Sequence, residues 1–91
     1  MIELKTELEI IAFDGRIIAR YQSRGDSDLY HIDHVAALQV TTTRRGRHFL
    51  ELKLRTAGVL LTKQFGQFAS EDMPQAQALI AAVNNAIAAR S

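Results

Sequence analysis

His31, Asp33 and His34 fall within four consecutive residues, HIDH, and bring two imidazoles and a carboxylate together. Such groups could hold a metal ion or pass a proton. Spacing decides what they can do. On a strand, residues i and i+2 share a face, so His31 and Asp33 would lie together and His34 would point away. A strand metal site wants His-x-His and a helical one His-x-x-x-His; HIDH has neither spacing, and no helical pattern surrounds it. His48 could approach from a partner strand across the glycine-centred turn RRGR. Two imidazoles and one carboxylate without further ligands still make a poor closed site. We therefore expect Asp33 and His34 to form a polar corner, His31 to be a partly exposed strand residue, and no metal or cofactor to be bound.

Nucleophilic chemistry has even less support. The serines are Ser23, Ser27, Ser70 and Ser91, and none lies in a Gly-x-Ser-x-Gly turn. There is no cysteine, which removes disulfides, thiolate zinc sites and a thiol nucleophile together. No glycine-rich phosphate loop is present. Arg24-Gly25-Asp26 reads as a turn. Glu3, Glu7 and Glu9 share strand parity and read as a solvated face answering the arginines of a neighbouring strand. No catalytic residue is assigned, and the chain is not expected to be an enzyme.

Two basic groups remain. Arg16, Arg20 and Arg24 share parity, although Arg24 falls in or near a loop. Arg44, Arg45 and Arg47 crowd one turn and are the candidate anionic-ligand residues. The net charge is only +1, from 11 Lys/Arg against 10 Asp/Glu, so a nucleic-acid partner is not expected. The chain has 91 residues, 47% hydrophobic and 23% charged, which fits one globular domain over 1–91 with a thin core. The start, MIELKTELEI, alternates and is acidic, unlike a signal peptide. No run of about 18 apolar residues occurs, so no span is expected. A cytoplasmic protein is the default expectation.

The elements that must position these residues can be read from periodicity. Alternation predicts strands over about 2–13, 16–22, 29–32, 35–43, 47–56 and 58–67. Asp14-Gly15 signals a two-residue type I′ hairpin turn, RRGR and Ala57-Gly58 signal further turns, and Gly66 a bulge. Parity makes Leu4, Leu8, Ile10, Ile17, Ala19, Val40, Leu50, Leu52 and Leu54 the strand core, with Val59 and Leu61 closing it. After Ala69 the period becomes helical. Ser70 is the expected N-cap of a helix over about 71–89, with Glu71 and Asp72 in its first turn. Ala76, Leu79, Ile80, Val83 and Ile87 form its buried stripe.

Strands joined by tight turns and closed by one terminal amphipathic helix imply an α+β fold. The stretch ELEIIAFDGRIIARY resembles the opening hairpin of short bacterial pleckstrin-homology-like domains. LYHIDHVAALQV resembles their Ile-Pro-x-x-x-Ile-x-x-Val stretch, with Ile32, Val35 and Leu38 at apolar positions, and GRHFLELKLRT is similar to the next strand. The resemblance implies antiparallel strands in a partly open barrel or sandwich capped by one C-terminal helix. It implies a non-catalytic interaction module that docks a protein partner. The alternative it implies is a peripheral membrane or anionic-ligand binder using basic loops.

The helix itself suggests self-association. Ala78, Ala81, Asn85 and Ala88 follow the three-four spacing of a helix–helix seam, opposite the buried stripe. No charge lies between Asp72 and Arg90, whereas a helix facing only water usually carries charge on its outer face. A homo-oligomer using this seam together with a sheet edge is the expectation.

Overall fold

Most strands here are specified by a run of alternating or β-branched residues, and several boundaries by a hydrogen-bonded turn. A computed structural model describes residues 1–90, so Ser91 lies outside the described residues. The strands are β1 (Ile2–Lys5), β2 (Glu9–Phe13), β3 (Ile17–Gln22), β4 (Ser27–His31), β5 (Val35–Thr42), β6 (His48–Thr56) and β7 (Val59–Phe68). One helix, α1 (Met73–Arg90), ends the described chain. The strands form two antiparallel sheets, ordered β1-β2-β3-β4 and β5-β6-β7. A 3-10 turn over Ile32–His34 carries the chain from one sheet to the other. The result is an α+β fold, a partly open sandwich of two sheets with one helix at the side of β1 and β5.

The single strand expected over 2–13 is two strands. Thr6 makes the break: its Oγ1 accepts from Leu8 N at 3.3 Å and Glu9 N at 3.0 Å, while Thr6 N donates to Glu9 O at 2.9 Å. A threonine hydroxyl that captures the following amides offers the backbone a turn in place of a ladder. Parity then resets. Leu4 pairs with Ile11 on the inner face, so Ile10 falls on the outer face at 37% exposure and Leu8 stands in the turn at 67%. The expected core places for Leu8 and Ile10 are therefore corrected to Ile11 and Phe13. A one-residue change of register exchanges the two faces of a strand. In β3 Ile18 faces the core and Ile17 is half-buried, while Ala19, buried as expected at 7% exposure, lies against Ala12 on the other face of the sheet.

Inside, Leu4, Ile11, Phe13 and Ile18 meet Leu38, Leu50, Leu52, Phe65 and Phe68, and α1 adds Ala76, Leu79 and Val83. Val40, Leu54, Ile80 and Ile87 pack half-buried around this cluster. β5 carries a register shift between Val35 and Ala37, which lets Val35 and Leu38 both point inward. The bulge expected at Gly66 is present: Gly66 and Gln67 oppose Phe49, and Gly66 has φ +66°. A Cβ there would come within 3.0 Å of Ile11 Cδ1, so the two sheets touch at this glycine.

The Asp14-Gly15 connection is not the expected type I′ turn. Three residues separate β2 from β3, and only Gly15 has positive φ. Asp14 Oδ1 accepts from Arg16 N and Ile17 N, both at 2.8 Å, so the side chain organises the turn. The two-residue turn with φ positive at both positions is Ala57-Gly58 (φ 51° and 78°). Ser70 does not cap α1. A 3-10 turn over Ser70–Asp72 precedes the helix, and the Ser70 hydroxyl is engaged by His48 Nε2 at 2.9 Å.

Candidate interaction surfaces

Arg44, Arg45 and Arg47 stand together on the β5–β6 turn, all exposed. The tip is tightly built. Thr43 N donates to Arg47 O at 2.8 Å, Gly46 N to Thr43 O at 3.0 Å, and Arg47 N to Thr43 Oγ1 at 3.2 Å. Among the described residues no ion pair reaches these three guanidinium groups. Arg47 also borders a cleft of about 410 Å³ that it shares with Glu7, Glu71 and Asp72. An anion entering there meets three carboxylates beside one guanidinium; Arg44 and Arg45 do not line that cleft.

The other basic series does not line one face. Arg16 and Arg24 are exposed in turns, while Arg20 points inward. Arg20 forms an ion pair with Glu9 and another with Asp28 at 3.4 Å, and its guanidinium lies 5.3 Å from the centre of the Phe65 ring. Phe65 stacks with Tyr30 at 6.2 Å, and Lys63 Nζ lies 5.3 Å from the Tyr30 ring. This ladder ties β2, β3 and β4 to β7 along the side of the sandwich away from α1. Of the acidic series, only Glu9 answers an arginine of its hairpin partner; Glu3 pairs with Lys5 at 3.9 Å.

The histidines separate. His31 Nδ1 accepts from Asp33 N at 3.2 Å and caps the 3-10 turn, and Asp33 also pairs with Arg90 at the end of α1. His34 is exposed with its ring 6.5 Å from that of His31. His48 lies elsewhere, between Thr42 Oγ1 and Ser70 Oγ at 2.9 Å each, stacked on Phe68. No group of three His, Cys, Asp or Glu side chains among the described residues is arranged to hold a metal ion. Two carboxylates are held below their ordinary range. The Ile17 and Arg16 amides lower Asp14 from 3.8, and the Thr41 hydroxyl is the main cause lowering Glu51 from 4.5.

On α1, Ala78, Ala81, Asn85 and Ala88 are all exposed. The neighbouring Asn84 does what the sequence reading did not assign. Its Oδ1 accepts from Leu38 N at 3.1 Å and its Nδ2 donates to Leu38 O at 2.9 Å. One side-chain amide thus stands in for a neighbouring strand on the β5 edge. Period alone cannot reveal such a bond, because it depends on where the helix docks.

The largest departure from the sequence reading is apolar. Val59 and Leu61, expected to close the core, are 56% and 50% exposed, and Leu60 between them is 55% exposed. Their parity is the expected one, since Leu61 pairs with Leu54 and Phe65 with Leu50 on the inner side. The β6–β7 hairpin runs beyond the four-stranded sheet, so inward-pointing side chains near its turn meet no opposing layer. Three consecutive apolar residues after a tight turn were the available signal, because such a run puts apolar groups on both faces of a strand. A second apolar surface lies on the outside of the four-stranded sheet. There Leu29, Tyr21 and Ile10 stand exposed beside Ala19 and Ala12, which are themselves buried. Leu29 and Tyr21 are 64% and 49% exposed.

The chain matches no protein-family model, and no curated protein or solved structure is significantly similar to it. Among the described residues no helix is long and apolar enough to cross a membrane.

Proposed function

We propose that this chain is a non-catalytic interaction module of the pleckstrin-homology-like kind, which self-associates and docks a protein partner in the cytoplasm. The observation that carries this reading is the concentration of exposed large apolar side chains on one sheet face and one hairpin. Single exposed leucines are ordinary on small proteins, but contiguous groups of them mark association surfaces. The exposed, uncharged face of Ala78, Ala81, Asn85 and Ala88 is a further surface in this reading. Light scattering across the micromolar range tests it. Mass should rise with concentration, and Ala81→Glu with Ala88→Glu reports whether the helix takes part. A wild-type chain that stays monomeric at high micromolar concentration defeats self-association.

The second reading is an anionic-surface binder. Three exposed arginines without ion pairs on one tip favour it. Binding to anionic vesicles would then fall steeply as salt shortens the Debye length to about 8 Å and below. Replacing Arg44, Arg45 and Arg47 by alanine would abolish it. Vesicle binding that ignores both salt and the triple change rules this reading out.

A further inference from the structure

We infer that the first half of β7, Val59 to Lys63, pairs antiparallel with the same segment of a second copy across a two-fold axis near Leu61, joining two three-stranded sheets into one of six strands. The inference rests on the self-association reading and names its surface. Two sheets have four edges, and three of them are guarded. α1 packs against β1, and Asn84 of α1 occupies the backbone of β5 at Leu38. β4 is five residues long and carries Asp28, which pairs with Arg20. β7 is ten residues long and pairs only with β6. Among the described residues its outer edge makes no backbone hydrogen bond. Edge strands are normally blunted by charge, proline or a bulge. The bulge of β7 lies at Gly66, past the segment in question, and the segment holds one charge, Lys63.

Charge and side-chain pattern select the occupant. A partner strand must be apolar on both faces, because Val59 and Leu61 point one way and Leu60 the other, all at least half exposed. Val59–Leu61 of a second copy meets that demand. With the axis at Leu61, Leu61 faces its own counterpart, Leu60 faces Thr62, and Lys63 faces Val59. The two Lys63 residues are thereby kept apart, and Lys63 is already drawn toward the Tyr30 ring. Five paired residues span roughly 17 Å. Five residues a side is a small contact beside the roughly 20–30 of a standard interface, so the pair belongs with weak, concentration-dependent associations.

The chain has no cysteine, so single cysteines report proximity on a clean background. Directly opposed residues of antiparallel strands have Cα atoms about 4.5–5.5 Å apart, within disulfide reach. Under mild oxidation of the full chain, Leu61→Cys should give a covalent dimer at least tenfold faster than Tyr21→Cys or Ala81→Cys. Leu60→Lys with Leu61→Lys, both at exposed positions, should keep the wild-type circular dichroism and scatter as a monomer. Concentration-dependent mass with crosslinking from position 21 or 81 and none from 60, 61 or 62 would overturn the β7 pairing and leave self-association standing. A wild-type monomer at high micromolar concentration would overturn both.

Discussion

Asn84 and Asn85 are adjacent and chemically identical, yet only Asn84 is built into the structure. Its amide closes both backbone groups of Leu38 on the part-buried edge of β5. Removing it leaves a donor and an acceptor without partners, which costs about 1–3 kcal/mol for a buried group. Asn84→Ala should therefore lower the unfolding free energy measured by urea titration by that amount, whereas Asn85→Ala, at an exposed position, should change it by less than about 0.5 kcal/mol. Equal effects would mean that Asn84 does not hold the helix to β5. Ala57 is the complementary case. It adopts φ 51° in the β6–β7 turn, where a Cβ costs about 1–2 kcal/mol relative to glycine. Ala57→Gly should stabilise the protein by up to about 1 kcal/mol, since glycine gives back part of that gain as unfolded-state entropy. A loss of stability would mean that the turn does not hold this conformation.

At the scale of elements, the hairpins are set by side chains that capture backbone amides. Thr6 ends β1, Thr43 shapes the arginine-bearing tip, and Asp14 orders the β2–β3 turn. Asp14 carries a pH dependence whose sign can be worked out. Amide donation from Ile17 and Arg16 favours the carboxylate in the folded state and lowers its pKa below 3.8. The stabilisation is therefore complete above the unfolded value and is lost as pH falls through the lower folded one. Asp14→Ala should be less stable than wild type near neutral pH, and the gap should close below about pH 3.8, read from urea midpoints across a pH series. A gap that widens on acidification would contradict this origin. β6 and β7 make a second contrast, because Leu52 is fully buried and Leu61 half exposed on the same side of one sheet. Leu52→Ala should cost about 2–5 kcal/mol, and Leu61→Ala in dilute protein less than about 1 kcal/mol. A large loss at Leu61 in dilute protein would mean that the hairpin end is packed within the monomer.

For the whole molecule, the decisive feature is an asymmetry between its two sides. α1 covers the side of β1 and β5, and the side of β4 and β7 stays open, bridged by the Arg20–Phe65–Tyr30–Lys63 ladder. The core is continuous but small, and the second sheet extends past the first. A chain of this size cannot cover every apolar surface it folds. Its hairpin end and outer sheet face stay uncovered, with Val59, Leu60, Leu61, Leu29 and Tyr21 all about half exposed or more.

The sequence by itself determined the element types, the turns at Gly15, Gly46 and Gly58, the helix and its buried stripe. Those depend on local chemistry: alternation at Leu50 and Leu52, helical recurrence at Leu79 and Val83, and glycine where φ must be positive. It also placed the three arginines on one exposed tip. Only the tertiary structure decided which side of each strand was covered. The Thr6 turn shifted parity at Ile10, and the overhang of β6 and β7 left Val59 and Leu61 facing nothing. Parity fixes which way a side chain points. Burial depends on whether another layer lies there, and that follows from strand lengths and sheet offset, which no local pattern encodes.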